Sequence, residues 1–254
     1  MTDAFANAQA LWTARLAAKR ISGWPGGAPG TPADVYAIHD AAARISGKPI
    51  TGWKVANITP QQQKGSGIGR PVCAPLMAEW SQPSPGKFPR ASFTDAFMVE
   101  CEFAFELGVD IPPRATPYTR AEIVARIASV RPAIEFIDKR VVPAIPVEAF
   151  SDFMASGGFV YGKPVSPGGD LNFGASEIVL TIDGKEAARG TGAAIKGDPL
   201  LAVVDLANAP PPWTNLRAGQ IVTTGSCTGV VKIPGPCTIK ADHGPLGSVE
   251  VVFV

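Results

Sequence analysis

The stretch Phe97-Met98-Val99-Glu100-Cys101-Glu102-Phe103-Ala104-Phe105-Glu106-Leu107 decides how this chain is read. It is apolar enough to be a buried strand, yet it carries three carboxylates. In an extended chain successive side chains point to opposite faces. Phe97, Val99, Cys101, Phe103 and Phe105 then share one face, and Glu100, Glu102 and Glu106 share the other. Carboxylates two residues apart on a buried face repel one another and lose hydration, at a cost of several kcal/mol per ion unless something compensates. The compensation is a cation, either Arg or Lys or a divalent metal, and an all-oxygen site suits Mg2+ or Mn2+ better than Zn2+. The competing reading is a half-exposed strand with a solvated acidic face.

Working outward, the 254 residues can bury a sizeable core. With 46% hydrophobic and 18% charged residues, disorder is excluded. A net charge of +1 with no long basic or acidic run argues against nucleic acid or a membrane surface as partner. No apolar run has the length of a membrane span, and the start Met-Thr-Asp-Ala-Phe-Ala does not look like a secretory signal. Cys73, Cys101, Cys227 and Cys237 show no CxxC spacing, so reduced thiols and a cytoplasmic location are expected. Two histidines, His39 and His243, make a His-rich zinc site implausible, and both read as structural or turn residues.

Residues 3–20 have helical spacing, and a Gly/Pro loop follows over 23–30. Thr31-Pro32 caps a helix to about Ile45. Residues 50–55 form a short strand, Thr59-Pro60 caps a short helix through Gln63, and 64–92 is loop-rich. After the acidic strand, Thr119 and Glu122 make a capping box for a helix through about Val130. Ala133–Asp138 reads as a buried strand. Strands are expected at 158–162, 177–183, 186–195, 219–226, 236–242 and 247–254, with a helix at about 198–208 that ends before Pro210-Pro211-Pro212. The result is an α+β chain, with a helical segment over 1–48 and a β-rich body over 49–254 in one continuous domain.

Glu135 lies among Ile134, Phe136 and Ile137, so it is expected to be buried. It either pairs with Arg131 or Arg140 or joins Glu100 and Glu102 around one divalent cation. Lys54 lies between Trp53 and Val55. On a buried strand, desolvation would lower its pKa and fit it for proton transfer; on an edge strand it would be an ordinary surface lysine. Thr223-Thr224-Gly225-Ser226 offers hydroxyls and N–H groups to a carboxylate, or is a plain strand end. Gly65-Ser66-Gly67-Ile68-Gly69 reads as an active-site loop rather than a phosphate cradle, for want of a strand-to-helix context. Ser226-Cys227 has no nucleophile elbow, so triad hydrolysis is not expected.

Gly52-Trp53-Lys54, Val99–Phe105, Pro132–Arg140, Phe159-Val160-Tyr161-Gly162, Gly197-Asp198-Pro199-Leu200 and Gly219–Ser226 occur in one order. Together they resemble the 2-keto-4-pentenoate hydratase / 4-oxalocrotonate decarboxylase branch of the fumarylacetoacetate hydrolase superfamily. The resemblance implies a mixed-sheet body of the fumarylacetoacetate hydrolase C-terminal-domain type and a homo-oligomer. It implies Mg2+ or Mn2+ on Glu100, Glu102 and Glu135, with Lys54 as acid/base group. The substrate would be a small 2-hydroxy-2,4-dienoate or its 2-oxo tautomer. Hydration is the first expectation. Decarboxylation of a 2-oxo-3-hexenedioate or a related C–C hydrolysis or tautomerisation is the second, and a non-catalytic partner subunit the third. Ser156 and Glu79 are carried as further catalytic candidates, and Trp53, Asp152, Thr224 and Ser226 as substrate-binding candidates. The segment Asp152-Phe153-Met154-Ala155-Ser156 departs from the family's Asp-Asn-Ala-Ser-like stretch: Phe153 replaces the amide and Ala155 a small hydroxyl residue. Ala56 stands where Gly is common. These departures bear on the substrate more than on the metal.

Overall fold

A computed structural model describes residues 2–143, 145–168 and 172–254. In chain order its helices are α1 (Ala4–Leu16), α2 (Pro32–Ser46), α3 (Pro60–Ser66), α4 (Arg120–Val124), α5 (Pro146–Phe150) and α6 (Leu200–Asn208). The strands are β1 (Ile50–Ala56), β2 (Val72–Met77), β3 (Ser81–Pro83), β4 (Gly86–Phe88), β5 (Phe97–Leu107), β6 (Ile127–Asp138) and β7 (Ser156–Tyr161). They continue with β8 (Glu177–Ile182), β9 (Lys185–Thr191), β10 (Ile221–Thr223), β11 (Val231–Lys232), β12 (Cys237–Asp242) and β13 (Ser248–Phe253). The α+β class follows directly.

Local chemistry starts the helices where the sequence says. Asp3 caps α1, accepting from the Ala6 N–H. Thr31 and Asp34 form a reciprocal capping box with Pro32 in the first turn of α2, and Gly47 closes it at φ 62°, a left-handed position that suits glycine. Thr59 with Gln62 and Thr119 with Glu122 repeat the box at α3 and α4.

The long hairpin β5–β6 is the spine. It lies inside a curled sheet ordered β2-β1-β10-β5-β6-β7-β3, with β11 added along the start of β5. A second sheet, ordered β4-β13-β12-β8-β9, completes the apolar core. Phe97, Val99, Cys101, Phe103 and Phe105 on β5 all enter that core, as the alternation predicts. Phe97, Phe136 and Phe253 meet at ring separations of 5.0–5.7 Å. Each fully buried Phe contributes about 1.5–3 kcal/mol of transfer free energy, so this face anchors the hairpin. The helical pair α1–α2 covers the other side of β2: Leu11, Trp12, Val35 and Ile38 pack with Val72, Ala74 and Phe153.

Two expectations fail. The helix expected to run through Val130 stops at Val124, and β6 begins at Ile127 instead of Ala133. The capping box starts a helix, but Ile127 and Val130 pair with Leu107 and Phe105, and a ready sheet partner outweighs a weak helical tendency. The segment 64–92 holds β2, β3 and β4, whose Gly and Pro residues conceal them. Among the described residues no helix is long and apolar enough to cross a membrane.

Candidate active site

Register builds the site. In β5–β6, Glu100 lies directly opposite Glu135, and Glu102 opposite Ala133. Alternation therefore turns all three carboxylates to the face away from the phenylalanines. One oxygen from each lies within 4.8 Å of the others. Glu135 and Glu102 are buried, and Glu100 is the one of the three that keeps contact with solvent. Beyond Glu102 the same face is closed by Ala104, Ala133, Phe159 and Ile221, which leaves Glu100 as the carboxylate nearest solvent.

Strand β1 brings the lysine. It runs parallel to β10, and Gly52 makes the approach possible: a Cβ there would sit 2.0 Å from the Ile221 carbonyl oxygen. Two residues on, the Lys54 ammonium is buried, 2.6 Å from Glu135 Oε1, and donates to the Met154 carbonyl at 3.2 Å. Arg131 and Arg140, the other partners considered for Glu135, are engaged elsewhere: Arg131 with Glu106, and Arg140 with Asp138 and Asp152. The expected lowering of the Lys54 pKa is reversed. Burial alone would push it down, but the carboxylates of Glu135, Glu100 and Glu102 outweigh burial and hold it above its ordinary value.

The end of β10 holds Glu102. The Thr224 and Gly225 N–H groups each donate to its Oε2 at 2.9 Å. Gly225 is at φ 91°, which turns its amide to the carboxylate with no Cβ penalty. Ser226 Oγ is buried beside Glu100 and helps its charged form, without a completed hydrogen bond of its own.

The cluster is short of positive charge. Burial, then Glu135, pushes Glu100 up; burial, then Glu135 and Glu100, pushes Glu102 well above the usual carboxylate range. Glu102 Oε1 and Glu135 Oε2 find no hydrogen-bond partner among the described residues. Three carboxylates face a single ammonium. One divalent ion would neutralise the remainder and supply ligands to the orphaned oxygens, and the hard oxygen set suits Mg2+ or Mn2+.

Four candidates lie elsewhere. Trp53 faces the opposite side of β1 from Lys54: its indole donates to Gln220 Oε1 at 3.0 Å and its ring is 5.5 Å from that of Trp213. Asp152 is buried in ion pairs with Arg140 Nε at 2.7 Å and Arg15 at 3.8 Å. The carbonyl of Ser156 accepts from both of those arginines. Glu79 is exposed on the turn Ala78–Trp80, beside a cavity of about 280 Å³ bordered by Arg15, Asp138 and Arg140 and not by the three carboxylates.

The Gly225 N–H belongs to the Thr223–Ser226 run that the sequence offers to a carboxylate, and the carboxylate it meets is that of Glu102. The Met154 carbonyl has no such signal in the sequence. It depends on Phe153, Met154 and Ala155 all having positive φ, at 48°, 54° and 60°. Each left-handed L-residue costs about 1–2 kcal/mol, and no residue in this run advertises that conformation.

No protein-family model matches the chain. A 2-keto-4-pentenoate hydratase of Paraburkholderia phymatum is 32% identical over 222 residues, covering 86% of this chain and 84% of the relative. A second, from Burkholderia vietnamiensis, is 30% identical over 232 residues, covering 90% and 87%. The structure of 4-oxalocrotonate decarboxylase from Pseudomonas putida G7, complexed with magnesium and adipate, superposes with a TM-score of 0.87 at 23% identity, covering 99% of this chain and 97% of that one. By the two relatives, matched over most of their length, the chain belongs to the 2-keto-4-pentenoate hydratase family, and it shares the fold of the decarboxylase.

Proposed function

We propose that this chain is a divalent-metal-dependent hydratase that adds water to a small 2-hydroxy-2,4-dienoate and yields a 4-hydroxy-2-oxo acid. The observation that carries the reading is the under-neutralised cluster of Glu100, Glu102 and Glu135 against Lys54, in a chain of this family. A bound Mg2+ or Mn2+ held by the three carboxylates would supply Lewis-acid polarisation of the substrate's 2-oxo and carboxylate oxygens.

The chain's own residues then divide the work. The Thr224 and Gly225 amides fix Glu102, and half-buried Glu100 is the carboxylate that substrate would meet first. Ketonisation moves the proton of the 2-hydroxyl to the far carbon of the diene, and water then adds at carbon 4 of the conjugated 2-oxo acid. Lys54 is the buried group placed to carry that proton, and its positive charge favours the anion through which the proton moves. The Ser226 hydroxyl, buried beside Glu100 and without a completed hydrogen bond among the described residues, is available to a substrate oxygen.

Decarboxylation of 2-oxo-3-hexenedioate is the second reading, favoured by the close superposition on a decarboxylase. Both reactions delocalise an electron pair into the same 2-oxo acid. The free thiols of Cys73, Cys101, Cys227 and Cys237 suit a reducing, cytoplasmic setting. A homo-oligomer belongs to the same proposal and is tested by light scattering.

An ultraviolet assay on a panel of 2-hydroxydienoates and 2-oxo-dienedioates, with and without Mg2+ or Mn2+, tests the function. The expected result is metal-dependent loss of dienol absorbance with water uptake and no carbon dioxide. Carbon dioxide release would select the decarboxylase, and silence across the panel would select a non-catalytic subunit.

A further inference from the structure

We propose that Arg15, Arg140 and Asp152 are positioning residues for Lys54: they clamp the two ends of the left-handed turn Phe153–Ala155, and the turn presents the Met154 carbonyl that holds the lysine ammonium. This rests on the reading of Lys54 as the proton-carrying group and deepens it. It gives the N-terminal helix a role in the reaction although no residue of α1 is among the carboxylates or their direct partners.

The turn is an unusual object. Three consecutive non-glycine residues take positive φ, a conformation that persists only where surrounding contacts impose it. Those contacts are on both sides. Before the turn, the Asp152 carboxylate is engaged by Arg140 Nε at 2.7 Å and by Arg15 at 3.8 Å, while its carbonyl accepts from the Ala155 N–H at 2.8 Å. After the turn, the Ser156 carbonyl accepts from Arg140 Nη2 at 2.8 Å and from Arg15. Arg140 is itself fixed, because its Nη1 donates to Asp138 at 2.6 Å. One pair of guanidinium groups therefore grips residues 152 and 156 and leaves residues 153–155 to bridge them. Bridging so short a gap turns the Met154 carbonyl to Lys54 Nζ, at 3.2 Å.

The aromatic packing agrees. Arg15 lies 4.2 Å from the centre of the Trp80 ring and 5.5 Å from that of Phe153, and the Phe153 ring is 5.3 Å from that of His39 on α2. Helices α1 and α2 thus both press on the turn. Lys54 has one carboxylate partner within ion-pair distance and one carbonyl partner. Without the carbonyl, its ammonium is steered by Glu135 alone, and a misplacement of about 1 Å can cost 100-fold in rate.

The test compares Arg15→Met, Arg15→Lys and Ala155→Val with Lys54→Met in the full chain. Ala155 is half-buried, so a β-branched side chain there attacks the φ 60° backbone while leaving both arginines in place. Four quantities are read for each variant: kcat, KM, Mn2+ affinity, and the acylation rate of Lys54 by an amine reagent, resolved by peptide mass spectrometry. For Arg15→Met and Ala155→Val the expected result is a kcat about 10- to 100-fold lower, with KM and Mn2+ affinity within about twofold. Lys54 should label several-fold faster at temperatures where the variant is fully folded, and Arg15→Lys should recover part of the loss. Wild-type kcat and labelling in Arg15→Met and Ala155→Val, beside an inactive Lys54→Met, would overturn the clamp and leave the functional reading intact. A fully active Lys54→Met would overturn the functional reading itself. If Arg15→Met fails to fold, Ala155→Val decides the matter alone.

Discussion

Two buried charge clusters lie among the described residues, and they differ in one respect. In the first, Arg15 and Arg140 face Asp138 and Asp152, two cations against two anions. In the second, Glu100, Glu102 and Glu135 face Lys54, three anions against one cation. The first spends its charges on itself and on the backbone around Ser156. The second leaves carboxylate oxygens without hydrogen-bond partners among the described residues and pushes Glu100 and Glu102 toward protonation. Burial alone does not mark a functional site, since both clusters are buried. The unpaid charge does. Neutrality also does not cancel desolvation: burial holds Asp152 above its ordinary value in spite of both arginines.

The largest expected effect breaks the second cluster. Glu102→Gln should lower turnover at least about 100-fold, since even loss of an outer partner of a metal ligand costs 10–100-fold. Steady-state kinetics with saturating Mn2+ checks this, with circular dichroism to show a retained fold. In metal-free buffer the same variant should melt higher than the parent, because it removes one of three repelling carboxylates. The first cluster should behave in the opposite way. Asp152→Asn leaves two buried guanidinium groups against Asp138 alone and should cost about 3–5 kcal/mol of stability, read from urea unfolding. A rise in stability there would mean that the two clusters are not distinguished by charge balance.

How much of this contrast was legible in the sequence depended on whether a signal was local. The acidic strand declared itself because period-two alternation and three charges coincide within eleven residues. The facing of Glu100 on Glu135 depended on strand register, which no local pattern reports. The start of β6 was hidden behind the Thr119 capping box, and β2–β4 behind Gly and Pro. The resemblance offers Trp53 and Lys54 together, although neighbours on a strand point to opposite faces. It also offers Asp152 as a substrate group, whereas that carboxylate pairs with Arg140 and with Arg15, a partner from the far N-terminal helix that no local pattern reports.

The effect of pH lies outside both clusters and serves as a control on them. Burial pushes His39 and His243 down to about 4, and both imidazoles are enclosed. An unfolded histidine takes its proton near pH 6.5, so between that pH and about 4 the unfolded chain binds more protons. Stability should therefore fall as pH drops from about 6.5 toward 4, by about 3 kcal/mol per histidine at the lower end. Urea unfolding across that range checks the slope, and His243→Phe should remove about half of it.

A divalent cation would complete the second cluster and leave the first unchanged. The most direct measurement is a titration of the metal-free protein with Mn2+, reading free ion by electron paramagnetic resonance. The expected result is one ion bound per chain, with binding lost in Glu102→Gln while the fold persists. A parent chain that leaves all the Mn2+ free in solution, or a Glu102→Gln variant that binds it as tightly as the parent, would contradict the account.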